Sequence, residues 1–138
     1  MVKEITPPEA WKILQAGENA VVLDVRSTME YQYVGHPVDA VHVPLKEPPS
    51  WETDPEFVGK VRRSLNEVRG NVENVEDITI LSICRSGQRS LVAAELLAAD
   101  GFKDVYNILE GFEGVKDGEN HRNTVNGWRV HKLPWEQS

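Results

Sequence analysis

The sequence predicts an α/β domain with a mostly parallel central sheet flanked by helices on both faces, and three observations carry that expectation. Short runs such as Ala20 to Arg26 and Asp77 to Cys84 are apolar without alternation, as strands buried on both faces are. Between such runs lie segments with helical spacing and capping signals. The two kinds alternate along the chain, an order that gives parallel strands joined by crossover helices.

Thr6-Pro7-Pro8-Glu9 is a capping-box pattern with proline at the first helical position, and it leads into a short helix ending at Gly17. The strand Ala20 to Arg26 follows. Ser27-Thr28-Met29-Glu30 offers a second capping box, for a helix of about two turns that stops before Gly35. Ala40 to Leu45 reads as a strand and KEPPSWETDPEF after it as a Pro-rich loop. Asp54-Pro55 opens a helix whose Phe57, Val58, Val61, Leu65 and Val68 share one apolar face. Asp77 to Cys84 is a third strand, Gln88 to Asp100 a helix closed by Gly101, and Asp104 to Leu109 a fourth strand. The Gly- and Asn-rich remainder is expected to hold one short helix, around Val125 to His131.

With 138 residues, 40% of them hydrophobic, the chain is expected to form a single domain over residues 1–138 with a core from about 5 to 135. A net charge of -7 gives none of the basic footprint that nucleic acid or an anionic membrane needs. No run of about eighteen apolar residues is present, and the start shows no apolar segment of a signal peptide. A cytoplasmic location is the resulting expectation. One cysteine and four histidines give no internal disulfide and no zinc-type spacing, so no metal or organic cofactor is expected.

That one cysteine, Cys84, ends an apolar strand and opens the polar loop Arg85-Ser86-Gly87-Gln88-Arg89-Ser90. A lone cysteine is commonly a small buried hydrophobe. A core cysteine would continue the apolar run, whereas this one meets arginines, serines and a glycine. The amides of residues 85 to 89 are expected to converge on the sulfur at the positive end of the following helix. Such a position lowers a thiol pKa from about 8.5 to roughly 3.5–7.5. Arg85 and Arg89 offer paired donors to a small oxyanion. Because ligands in parallel sheets collect at the carboxyl ends of strands, Arg26 and Cys84 are expected to face one crevice. Asp24 and Arg26 read either as groups orienting that site from behind or as a structural ion pair, with Glu30 or another neighbour.

At these residues the chain resembles the rhodanese, or thiosulfate sulfurtransferase, family. VVLDVRSTMEYQYVGHPVDAVHVPL (21–45) is similar to the family's LDVR strand, Gly-His pair and following strand, GFKDVYNILEGFEG to the segment after its active-site helix, and GWRVHKLPW to its terminal Trp segment. The resemblance implies the rhodanese fold and a cysteine that carries sulfane sulfur as a persulfide. By it, Cys84 is the nucleophile, taking sulfur from thiosulfate or a related persulfide or polysulfide donor and passing it to cyanide, a thiol or a thiol-bearing protein. Residues 85 to 89 would cradle the persulfide, with Arg89 and Ser90 supporting it and Arg85 and Arg89 meeting the sulfonate oxygens. Gly111-Phe112-Glu113-Gly114 stands where the family has a paired glycine, and VKDGENHRNTVN (115–126) separates it from Trp128, as a lid, a partner surface or a solvated loop.

Three other readings stand beside this one. Cdc25-like phosphatases and arsenate reductases share the fold, but their loop is one residue longer, and Cys84 and Arg89 here enclose only four residues. A noncatalytic rhodanese-like docking module is marked by loss of the cysteine. A thiol redox sensor would need an external resolving thiol. His36 reads as structural, and the tryptophans as packing or clamp residues, with Trp51 a candidate for the border of a partner site.

Overall fold

In the computed structural model, which describes residues 1–17, 19–70 and 72–138, five parallel strands form the central sheet. They are β1 (Val2–Ile5), β2 (Ala20–Asp24), β4 (Val41–His42), β5 (Thr79–Ile83) and β6 (Val105–Ile108), in the order β1-β6-β5-β2-β4. β5 lies between β2 and β6, in register Leu23 to Ser82 and Ser82 to Asn107. Three α-helices cover it: α1 (Pro7–Gln15), α2 (Phe57–Val68) and α3 (Gln88–Ala99).

Strand periodicity sorts the side chains into two cores. Val21, Leu23, Ile80 and Cys84 face one side, where Phe57, Val61 and Leu65 of α2 and Ala93, Ala94 and Leu97 of α3 close over them. Val22, Leu81, Ile83 and Ile108 face the other, packed by Ala10 of α1 with Phe112 and Trp128. The helices therefore do lie on both faces. The Thr6 capping box forms, with Thr6 N–H donating to Glu9 Oε1 at 2.9 Å.

Elsewhere tertiary pairing overrides local pattern. β1 is an edge strand whose Lys3 and Glu4 are exposed, so it lacked the apolar run that marks the others; it forms because Val2 to Ile5 align with Val105 to Ile108. A second, two-stranded antiparallel sheet pairs β3 (His36–Pro37) with β7 (Trp135–Glu136). The expected helix at Val125 to His131 is instead a series of turns. Trp128 N–H donates to Gly111 O rather than along its own segment, and Gly127 takes a φ of 109°. α2 starts at Phe57 rather than at Asp54, whose carboxylate accepts the Glu56 N–H at 2.9 Å in the preceding turn.

The second capping box forms as well, but the helical segment behind it is a single wide turn, Glu30–Val34, with π-type hydrogen bonding. Glu30 does more than cap. Its two carboxylate oxygens accept from Arg89 Nη1 and Nη2 at 2.8 and 3.0 Å, tying this turn to α3. Burial opposes ionisation of Glu30, yet the Arg89 guanidinium and the Ser27 bonds outweigh it and hold its pKa at about 2. The same contact pushes the Arg89 pKa upward. Because the folded-state value lies below the unfolded one, the pair's contribution is complete above the ordinary carboxylate range and is lost as pH falls towards about 2. Urea denaturation should show Glu30→Gln destabilised at neutral pH by on the order of 2 kcal/mol, with the difference from the parent closing near pH 2.

Candidate functional site

Cys84 directly follows β5, and residues 85–87 bridge to the first turn of α3. Gly87 enters the helix with a φ of 112°, a left-handed conformation that side chains rarely adopt, and this bends the chain back over the sulfur. The Gly87 N–H donates to Cys84 Sγ at 3.1 Å. Cys84 Sγ–H donates to Ser90 Oγ at 3.2 Å, Ser90 Oγ–H donates to Asn107 Oδ1 at 2.6 Å, and Asn107 Nδ2 donates to Gly87 O at 3.1 Å. The circuit returns to the residue whose amide meets the sulfur. Cys84 is only 1% exposed, so its sulfur forms the floor of the loop, held by polar groups on one side and the α3 core on the other.

The loop is braced from beneath. Phe112 N–H donates to Cys84 O at 2.8 Å, and Glu113 and Gly114 N–H donate to Arg85 O at 3.0 and 3.2 Å. Gly111 permits this approach, because a Cβ there would lie 2.5 Å from the Arg85 carbonyl carbon. The carbonyls of residues 84, 85 and 87 are thus all engaged, by Phe112, by Glu113 and Gly114, and by Asn107. Of the expected amides of residues 85 to 89, Gly87 is the one within hydrogen-bonding distance of the sulfur among the described residues.

Beside the loop opens a cleft of about 660 Å³ that reaches the loop through Arg85 and Arg89, while Cys84 itself, 1% exposed, lies behind them and does not line it. Arg85 and Arg89 line it with Glu30, Glu113 and Arg122, opposite an apolar wall of Met29, Val34, Pro48 and Trp51. Arg85 has no ion-pair partner among the described residues, whereas Arg89 is bound to Glu30. Of the two arginines expected to meet a sulfonate, only Arg85 is therefore unengaged. Ser86 is half-buried and Gln88 exposed.

The crevice expected to be shared by Arg26 and Cys84 does not form. Asp24 and Arg26 are both fully buried and belong to the opposite face of the sheet, together with Phe112. Arg26 pairs with Asp24 through Nη2 at 2.6 Å and Nε at 3.0 Å, not with Glu30, and donates to Gly35 O at 2.6 Å. Its guanidinium stacks 4.5 Å from the Phe112 ring centroid. Arg26 thus supports the residue whose amide holds the Cys84 carbonyl, without lining the cleft.

Sequence reasoning passed over Asn107 and Arg122, and noted Gly111 only as a match to the family's paired glycines, without a task. Asn107 interrupts an otherwise apolar strand, and that interruption was its signal. Arg122 lies in a segment with no pattern of its own and gave none.

A family model described as rhodanese-like domain matches residues 6–117. The chain is 33% identical over 138 residues to an uncharacterized protein of Rickettsia rickettsii, the RP600 homolog, with 98% of each covered. It is 30% identical over 112 residues to the thiosulfate sulfurtransferase GlpE of Haemophilus influenzae, covering 81% of this chain and 86% of that one. Among solved structures, Rv0390 from M. tuberculosis matches with a TM-score of 0.78 and 34% identity, covering 99% of this chain and 98% of that one. With the family model matching residues 6–117 and the fold of Rv0390 shared over nearly the whole chain, a cysteine loop between a parallel strand and a helix leads to one conclusion: the chain belongs to the rhodanese-like domain family.

Proposed function

We propose that the protein is a sulfurtransferase that carries sulfane sulfur as a persulfide on Cys84. The observation that carries this reading is the Gly87 N–H directed at Cys84 Sγ at the head of α3, in a loop whose carbonyls at 84, 85 and 87 are bonded to Phe112, Glu113, Gly114 and Asn107. Such a setting favours negative charge on sulfur over hydrocarbon contact alone. Family membership and the sulfurtransferase relative add to it.

In the first half-reaction the Cys84 thiolate attacks the outer sulfur of thiosulfate. A bond forms between the two sulfurs, the bond to the sulfonate sulfur breaks, and its electron pair leaves with sulfite. The persulfide keeps one negative charge. In the second half-reaction an acceptor thiolate or cyanide attacks the outer sulfur of the persulfide and restores the Cys84 thiolate. A persulfide or polysulfide donor reacts in the same way, with a thiolate as the leaving group. Each half-reaction is complete before the next begins, so the kinetics are ping-pong. Arg85 draws the anionic donor to the loop, and Arg89 is held rigid by Glu30 beside it. Ser90 accepts the thiol hydrogen bond and, by rotating its own hydrogen from Asn107, can donate to the thiolate instead. The acceptor is a small thiol or a thiol-bearing protein, and the site works without metal or organic cofactor.

Incubation with thiosulfate or a polysulfide should add one sulfur atom to the intact mass of the parent protein, and subsequent cyanide should release thiocyanate. Cys84→Ser should do neither; adduct formation by that variant, or none by the parent with any sulfane donor, overturns the reading. Ser90→Ala should slow persulfide formation about tenfold, the size of one lost hydrogen bond, as followed by stopped-flow release of sulfite.

A further inference from the structure

Residues 115–126 are not a featureless connection. Asp117 gathers the segment: its carboxylate accepts from Glu119 N–H at 2.8 Å, His121 N–H at 2.9 Å and Thr124 Oγ1 at 2.7 Å. Asn126 Oδ1 fixes the other end through Val115 N–H at 2.9 Å. The fold of this segment turns Arg122 back towards the cysteine loop, where Nη1 donates to Gly114 O at 2.7 Å and the half-buried side chain joins the cleft wall. Gly114 is the same residue whose amide holds Arg85 O, so Arg122 and the loop share one anchor.

The charge in the cleft is uneven. Arg85, Arg89 and Arg122 face Glu30 and Glu113, and the Glu30 carboxylate is taken up by both nitrogens of Arg89. Neither Arg85 nor Arg122 has an ion-pair partner among the described residues. In a chain of net charge -7 this is a local positive surplus. The wall opposite is apolar, with Met29 62% and Trp51 47% exposed, and the cleft's volume of about 660 Å³ suits an organic molecule better than a small inorganic anion.

We propose that Arg122 is a specificity-determining residue that binds the carboxylate of an organic thiol acceptor, whose apolar body lies against Trp51 and Met29 while its sulfur meets the Cys84 persulfide. The assignment rests on the sulfurtransferase reading and specifies the acceptor that reading leaves open. Guanidinium binds carboxylate with paired donors, so the contact adds affinity without entering the chemical step.

Two thiols of equal body and different charge test it: para-(mercaptomethyl)benzoate and phenylmethanethiol, each offered to the thiosulfate-loaded enzyme. The parent should favour the carboxylated thiol about tenfold or more in kcat/KM, through KM. Arg122→Ala should erase that preference, Arg122→Lys should keep part of it, and Lys116→Ala, in the same segment but outside the cleft, should keep all of it. Equal use of both thiols by the parent, or a preference that survives Arg122→Ala, overturns the proposal. Binding of para-methylbenzoate, followed by NMR titration, requires no chemistry and separates the two readings. Binding that is lost in Arg122→Ala supports the carboxylate contact even where Cys84 forms no persulfide. Failure of the parent to bind overturns that contact even where Cys84 does form one.

Discussion

The bonds from Phe112, Glu113 and Gly114 to the carbonyls of Cys84 and Arg85 are the contacts on which the site depends. Past the end of a strand the carbonyls lose their ladder partners, and a free carbonyl turned toward the sulfur would repel negative charge. Here the neighbouring segment takes up both carbonyls, and the Gly87 amide meets the sulfur. The backbone of residues 111–114 must run in contact with the loop to do so, and only a residue without Cβ fits at 111. Trp128 N–H on Gly111 O then fixes that segment to the C-terminal turns. The end of the chain is thereby coupled to the cysteine at its middle.

Beneath this brace sits a buried ion pair whose contribution is positional. Isolated from water, Asp24 and Arg26 must satisfy one another, and Arg26 also serves Gly35 O and the Phe112 ring. Its Nη1 meets no acceptor among the described residues. A pair of this kind adds little net stability, because desolvation offsets attraction, yet breaking it by removing one partner leaves a buried charge and costs about 3–5 kcal/mol. Gly35 is itself pressed against Trp135 of β7, where a Cβ would lie 2.7 Å from the indole. Arg26 therefore joins β2, the Glu30 turn, the β3/β7 sheet and the loop brace through one side chain.

The two loop arginines have separate tasks despite their similar sequence setting. Arg89 is neutralised by Glu30 and held in place, and Arg85 is exposed with its charge available to solvent. Charge complementarity in the cleft thus comes from Arg85 and from Arg122, residues distant in sequence that line it together, with Gly114 bonded to the Arg85 carbonyl through its N–H and to Arg122 through its own carbonyl. The apolar wall beside them comes from the Glu30 turn and the Pro-rich loop.

Local chemistry determined a large part of this protein. The apolar runs gave all four expected strands, the capping boxes at Thr6 and Ser27 formed as their side chains dictate, and the polar loop after Cys84 joins a strand to a helix as its composition implied. Tertiary structure decided the rest, wherever the deciding partner lies far along the chain. The polar β1 becomes a strand only beside β6, and Trp128 leaves its expected helix because Gly111 O accepts its amide. Arg26 turns to the face opposite Cys84 because strand alternation separates positions that look equivalent as strand ends. Arg122 reaches the cleft through a web of hydrogen bonds around Asp117 that no periodicity announces. Side-chain period and capping are properties of neighbouring residues, whereas pairing, bracing and charge placement are settled by which segments the packed sheet brings together.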